Sequence, residues 1–491
     1  MNFANAIRNE SAKTHTENGA TAISTTGSPL LDLFGSAGSL RTADDTRIER
    51  LFVDACKENP LLATKAMFYI RDVRGGLGER RTFRVMLRYA AKNHPECVRE
   101  NISLIPFYGR YDDLYALLDT PLEKVMWHYI RDWLDNDRDN MMRNKPCSLL
   151  AKWLKTADAS SPKTRKLGIR TAAGLGMSVY DYKRLVRQLR KYIDVTEVKM
   201  SGSKWSDIRY ESVPSRAMLN YRKAFARHDG DRYQGYINAA MNGEAKIHSD
   251  TLFPYDIIEK YWAQSHIHYG PMFTCDPVLE AQWKALPNYV DGDANAMVIA
   301  DTSGSMYGRP LYSAVGLAIY FAQRNRGAYH NLWMSFSGDS RVNSLKGENL
   351  AQILSSIDYG HWGNNTNMER AFTNILRIAK ENHVPPEEMV KSIIVISDME
   401  FDICGGKNWL FYDEMRDRFT AAGYEIPNVV FWNVNSRHDI FHADKNRKGV
   451  QLCSGQSAST FKTLMKSVGM TPMEMMLYVL NSERYSAVTI S

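Results

Sequence analysis

Apolar residues recur at helical spacing through most of the first 290 positions and at strand-and-helix alternation after them. Between residues 44 and 135 the segments IERLFVDACKENP, LLATKAMFYIRDV, RTFRVMLRYAAKNHP and PLEKVMWHYIRDWL place apolar side chains at i, i+3, i+4 and i+7, which predicts amphipathic helices. Asn59-Pro60 and His94-Pro95 end two of them, since a proline follows a helix more readily than it continues one. A second helical stretch covers about 145–242. In SVYDYKRLVRQLRKYIDV, Tyr182, Leu185, Val186, Leu189 and Ile193 share one face, and Lys183, Arg184, Arg187, Arg190 and Lys191 lie on others. YDIIEKYWAQ and VLEAQWKAL precede a polar break, PNYVDGD at 287–293. Short helices with short connections predict stacked helix pairs.

Beyond the break the pattern alternates. NAMVIADTS, NLWMSFSG, SIIVISD, NVVFWNVN and GVQLCSG read as buried strands. LYSAVGLAIYFAQRN, ENLAQILSSID, MERAFTNILRIAKENH, WLFYDEMRDRFTAAG, SASTFKTLMKSVG and TPMEMMLYVLNSERY read as helices between and after them. Such alternation predicts a parallel sheet covered on both faces, with ligands expected outside the carboxyl ends of its strands. The expected architecture is therefore multidomain: an arm at 1–40, rich in Ser, Thr, Gly and Ala; an all-α domain at 41–290 built of HEAT-like helical repeats; and a doubly wound, Rossmann-like α/β domain at 296–491.

Composition adds exclusions. A hydrophobic fraction of 44% and a charged fraction of 24% are those of a globular protein with a sizeable core. No apolar run is long enough to span a membrane, and the N-terminus lacks the apolar stretch of a secretory signal. The 6 cysteines are scattered without a CxxC pair, which points to idle thiols in a reducing cytoplasm. The net charge of +7 is uneven: residues 1–290 hold 43 Lys and Arg against 34 Asp and Glu, and the remainder is close to neutral. Nucleic-acid binding needs such a bias, although proteins that bind none also show it.

The candidate chemistry follows the strands. The first strand of the α/β region runs into Asp301-Thr302-Ser303-Gly304-Ser305, which puts a carboxylate and two hydroxyls at a strand's carboxyl end. SIIVIS ends in Asp398, and the loop HWGNNTN at 361–367 offers Thr366 before a helix. Taken singly, each has a plain alternative: a helix cap or phosphate loop for DTSGS, an N-cap for Thr366, a turn residue for Asp398. Together they form an oxygen-rich set suited to Mg²⁺, or to Mn²⁺ or Ca²⁺, rather than to zinc. Glu400 stands close in sequence and is a further candidate. His361 offers the loop a base, but a packing role is the commoner fate of such a residue.

Asp301-x-Ser303-x-Ser305 with Thr366 and Asp398 resembles the metal-ion-dependent adhesion site of von Willebrand factor type A domains, across about 296–491. That resemblance implies that Ser303, Ser305 and Thr366 ligate a cation, that Asp301 and Asp398 act directly or through water, and that an acidic residue of a protein partner fills an open position. Helices followed by such a domain resemble the TROVE-module proteins, and resemble more closely an uncharacterised family from eukaryotes and large viruses. IRDVRGGLGERR at 70–81, LLAKWLK at 149–155 and VPSRAMLNYRKAF at 213–225 carry that likeness. The TROVE resemblance implies binding of single-stranded or structured RNA.

Two segments could serve RNA physically. Arg71, Arg74, Arg80 and Arg81 surround Gly75, Gly76 and Gly78, and glycines with guanidinium forks suit phosphate. The alternative is a glycine turn with its arginines paired to acids. Lys204, Arg209, Arg216, Arg222 and Lys223 interleave with Trp205, Tyr210 and Tyr221, which suits phosphate pairing with base stacking. The alternative is a core of aromatics under a solvated basic face. The expectation is a non-enzymatic, RNA-binding scaffold of ribonucleoprotein type whose type A domain engages a protein through its metal. A metal-dependent assembly module without nucleic acid is the competing reading.

Overall fold

The computed structural model describes residue 7 and residues 10–265, 272–290, 294–363, 365–404 and 410–490. Part of the expected break at 287–293, the first residues of the arm and Asn364 of the loop 361–367 lie outside them. The chain is multidomain, with a helical N-terminal region and a C-terminal α/β region, and it forms two compact units. One unit comprises residues 1–82 with 247–486, and the other comprises 83–246 with 487–491. These units do not follow the 41–290 and 296–491 boundaries, because the first helices and the arm group with the sheet.

The first unit is organised by a six-stranded sheet in the order β5-β4-β3-β6-β7-β8. Its strands are β3 (Ala296–Asp301), β4 (Leu332–Phe336), β5 (Ser340–Ser344), β6 (Ser392–Ser397), β7 (Asn428–Asn433) and β8 (Val450–Ser454). Five run parallel, as the apolar pattern predicts; β5 pairs antiparallel with β4 at the edge, so the sheet is mixed. β3, β6 and β7 are buried at every position, as strands covered on both faces must be. On one face Ile299, Met334, Ile393, Val395 and Phe431 pack with Phe372, Phe401 and Phe411. On the other, Trp432 meets Phe461, which also stacks on Tyr320 and lies tilted against Phe321 of the helix Arg309–Arg324.

The arm is part of this unit. A short hairpin of β1 (Lys13–His15) and β2 (Thr21–Ile23) leads into the helix Pro29–Ser36, whose start is capped by Ser28. β2 is wholly buried, and Ile23 exchanges backbone hydrogen bonds of 2.9 and 2.8 Å with Phe441. Gly38 lies so close to the end of β8 that a Cβ there would stand 2.5 Å from the backbone N of Gly455. Asn59 ends the helix Asp45–Glu58 and accepts from Leu62 N at 2.9 Å to start the helix Pro60–Arg71, which explains the Asn-Pro junction.

The second unit is helical, with Glu123–Met142 and Val179–Tyr192 among its longer elements. Tyr182, Val186 and Leu189 form the buried stripe of the latter helix, as its periodicity predicts. Among the described residues, no helix is long and apolar enough to cross a membrane.

Candidate metal centre

Parallel pairing of β3 with β4 and β6 carries their carboxyl ends to one rim of the sheet, and Asp301 and Ser397–Asp398 lie there. Thr302 N donates to Phe336 O at 2.8 Å, so the turn after β3 is fixed to its neighbour strand. Within that turn Asp301 Oδ1 accepts from Ser303 N at 2.9 Å, and the hydroxyls of Ser303 and Ser305 are 3.2 Å apart. The Ser397 hydroxyl donates to Asp301 Oδ2. Ser305 in turn hydrogen-bonds Asp398, whose Oδ2 accepts from the Arg437 guanidinium at 3.0 Å. Asp301, Ser303, Ser305 and Asp398 thus form one connected polar cluster.

Burial sets its electrostatics. Asp301 is inaccessible, and its carboxyl is pushed up to about 7, first by desolvation and then by the neighbouring charge of Asp398. Desolvation also raises Asp398, against the Ser305 hydroxyl and Arg437, which favour its charged form. Met399 adopts a left-handed backbone with φ +70°, at a cost of about 1 kcal/mol for a residue with a Cβ. The kink follows Asp398, where Met399 N donates to Ser397 Oγ at 3.0 Å and Glu400 N to Asp398 Oδ1 at 3.3 Å. Strain of this kind is held where surrounding structure dictates it, and functional sites are one such place.

Thr366 is buried and its loop is tied to the same rim. Gly363 N donates to Thr302 O at 2.9 Å, and Asp402 N donates to Thr366 O at 2.9 Å. A Cβ on Gly304 would stand 3.1 Å from Gly363 O, so glycine there admits the loop. His361 faces the interior: its ring Nε2 lies 2.8 Å from the Ser335 hydroxyl, and burial holds its pKa down.

Three participants were not legible in advance. Arg437 bridges Asp398 to Glu17 of the arm, with 2.5 Å to the Glu17 carboxylate. Glu400, fully buried, accepts from Glu17 N at 2.6 Å and stands 2.8 Å from His438 Nδ1. Arg437 and His438 follow the carboxyl end of β7, a position that could have flagged them; nothing in the arm's composition singles out Glu17.

The basic candidates are distributed differently. Arg71 is buried near Glu79, whose carboxyl is raised by burial and drawn down first by its ion pair with Arg41 and then by the charge of Arg71. Arg74 and Arg80 are exposed, and Arg81 pairs with Asp45. The glycines of this segment serve close packing. A Cβ on Gly76 would fall 2.0 Å from Tyr69 O, and the N–H groups of Leu77, Gly78 and Glu79 donate to Tyr69, Asp72 and Ile70 carbonyls. In the helical unit Trp205 stacks on His228 at 4.3 Å, and Tyr210 packs with Phe225, Tyr233 and Tyr236. Arg222 is buried and donates to Leu219 O, Arg209 pairs with Asp194, and Lys204, Arg216 and Lys223 are exposed. The aromatics of this segment are largely engaged in packing.

Comparison with known proteins places these two regions. Residues 16–124 and 137–292 match a family model described as "Domain of unknown function (DUF2828)", and 295–486 match one described as "Domain of unknown function (DUF7788)". A relative in Acanthamoeba polyphaga mimivirus, "Uncharacterized protein L728", is 27% identical over 509 residues, covering 95% of this chain and 86% of that protein. With more than half of its length matched by the first of these models, the chain belongs to the DUF2828 family.

Proposed function

We propose that the chain is a non-enzymatic scaffold whose α/β region binds a protein partner through a divalent cation held by Asp301, Ser303, Ser305, Thr366 and Asp398. The observation that carries this reading is the connected cluster of two buried carboxylates and two hydroxyls at the carboxyl rim of β3 and β6. The donor set fits the ion. Two buried, mutually repelling carboxylates are costly without a counter-charge, and an all-oxygen set with hydroxyl ligands suits Mg²⁺ or Mn²⁺. Few protein charges on the ion leave it electrophilic, so a partner's Asp or Glu side chain is the natural further ligand. This is the mode of von Willebrand factor type A domains. The inward hydrogen bond of His361 supports binding over hydrolysis.

Calorimetry of the full chain with Mg²⁺ and Mn²⁺, with and without an acidic partner peptide, tests the reading. Binding in the wild type and its loss in Asp301→Ala with the fold retained is the expected outcome. No binding of either ion in the presence of the peptide would refute it.

RNA binding in the manner of TROVE-module proteins is the second component. It rests on the charge bias of residues 1–290 and on the exposed Lys204, Arg216 and Lys223. The packed aromatics favour contacts to phosphate over base stacking, and so favour the assembly reading over sequence-selective RNA recognition. Pull-downs after nuclease treatment, with and without chelator, separate the two. A partner retained after nuclease and lost with chelator supports assembly through the metal alone.

A further inference from the structure

We infer that Glu17, Glu400 and His438 form a second cation site, flanking the first and selective for a metal that accepts nitrogen, Zn²⁺. One ligand atom from each of the three lies within 4.8 Å of the other two. Glu400 is the fixed member: its side chain is fully buried, with Oε1 2.8 Å from His438 Nδ1 and Oε2 accepting from Glu17 N at 2.6 Å. Glu17 and His438 are half-exposed at its mouth, at 50% and 57%, so both can close on an ion and an ion can reach them.

The arm is clamped at this point. Thr16 Oγ1 donates to Phe401 O at 2.6 Å, Asn18 Nδ2 donates to Glu400 O at 2.6 Å, and Gly19 bridges to Asp402. Residues on both sides of Glu17 therefore hold it against the segment 398–402. Arg437 also pairs with the Glu17 carboxylate.

A charge count points independently to a cation. Among the described residues, Asp301, Asp398, Glu400 and Glu17 face the Arg437 guanidinium, which pairs with Asp398 and Glu17, and the His438 imidazole, which pairs with Glu400. Three of these carboxylates are buried. Four carboxylates against one guanidinium and one imidazole leave an excess of negative charge. A second dication beside Glu400 offsets that excess. The donor chemistry divides the two sites: hydroxyl and carboxylate oxygens at the serine turn suit Mg²⁺ or Mn²⁺, whereas an imidazole nitrogen with two carboxylates suits Zn²⁺.

The test uses the full chain, Zn²⁺ and a chromophoric zinc chelator as competitor, in excess Mg²⁺. The wild type is expected to hold a Zn²⁺ that Mg²⁺ does not displace. Glu17→Ala and His438→Ala, both at half-exposed positions, should each weaken it by about ten-fold or more. Asp301→Ala should retain this Zn²⁺ while losing Mg²⁺. Zn²⁺ affinity unmoved in the Glu17→Ala, His438→Ala double variant overturns the inference, as does loss of the Zn²⁺ in Asp301→Ala. A wild type that binds no Mg²⁺ but holds Zn²⁺ through His438 refutes the serine-turn site and leaves this one standing.

Discussion

Replacing Asp301 by Asn should stabilise the metal-free protein at neutral pH and remove its stabilisation by Mg²⁺. An Asn side chain keeps the local bonds, since its oxygen can accept from Ser303 N and its amide can donate to Ser397 Oγ, whose hydroxyl can rotate. What it removes is a buried charge. Burial, with the Asp398 charge beside it, pushes the folded-state carboxyl up to about 7 from its ordinary value of 3.8. A carboxyl whose pKa is raised by folding holds its proton longer in the native state. Stability therefore falls as pH rises from about 4 to about 7 and stays reduced above that. At 1.36 kcal/mol per unit the penalty approaches about 4 kcal/mol, a ceiling because the neighbouring Asp398 shares the titration. The assay is chemical denaturation followed by tryptophan fluorescence, to which the buried Trp333 and Trp432 of the sheet contribute, from pH 5 to 8 in chelator and in Mg²⁺. In chelator the wild type should lose stability across this range relative to the variant. Mg²⁺ should restore the wild type and leave the variant unmoved. A variant less stable than the wild type in chelator at pH 8, or equally stabilised by Mg²⁺, refutes the reasoning.

Other perturbations probe other parts. Glu280 is buried and accepts from Tyr261 Oη and from Leu350 N and Ala351 N at 2.9 and 3.2 Å; Glu280→Ala should cost about 2–4 kcal/mol by denaturation, and an unchanged midpoint would show these donors find other partners. Gly76→Ala forces a Cβ onto the Tyr69 carbonyl and should destabilise the sheet unit by about 1–3 kcal/mol or more, whereas a neutral result would contradict the packing role given to this glycine. If RNA is bound through phosphates, affinity in filter binding should fall steeply with salt, and Lys204→Ala and Lys223→Ala should each lower the log–log slope by about 1. Equal binding to heparin would reduce that interaction to general polyanion attraction.

The sheet was legible where strands are buried on both faces. SIIVIS and NVVFWN announce themselves by unbroken apolar runs, and Asp301 and Asp398 could be placed because they terminate such runs. β5 was not legible: SRVNS is a mostly exposed edge strand with no apolar alternation, and pairing with β4 alone makes it a strand. The DTSGS cluster could be read because its members are two residues apart, whereas Glu17 reaches Glu400 across 383 positions through backbone contacts that leave no periodic trace. RDVRGGLGERR is open to two readings for a related reason. Glycines that admit a phosphate and glycines that admit a carbonyl look alike along a chain, and only the return of the backbone onto Tyr69 distinguishes them.

The burial of Thr21–Ile23 against the segment around Phe441 bears on biogenesis. These residues leave the ribosome well before the surface that receives them, which is translated some four hundred codons later. Until then an apolar segment waits in solution, and contacts this distant in sequence form slowly and expose the nascent chain to aggregation. Expression of the α/β region without its leading forty residues would leave that receiving surface uncovered. Soluble fragments are therefore better sought by carrying the arm along than by cutting at the 292–295 junction.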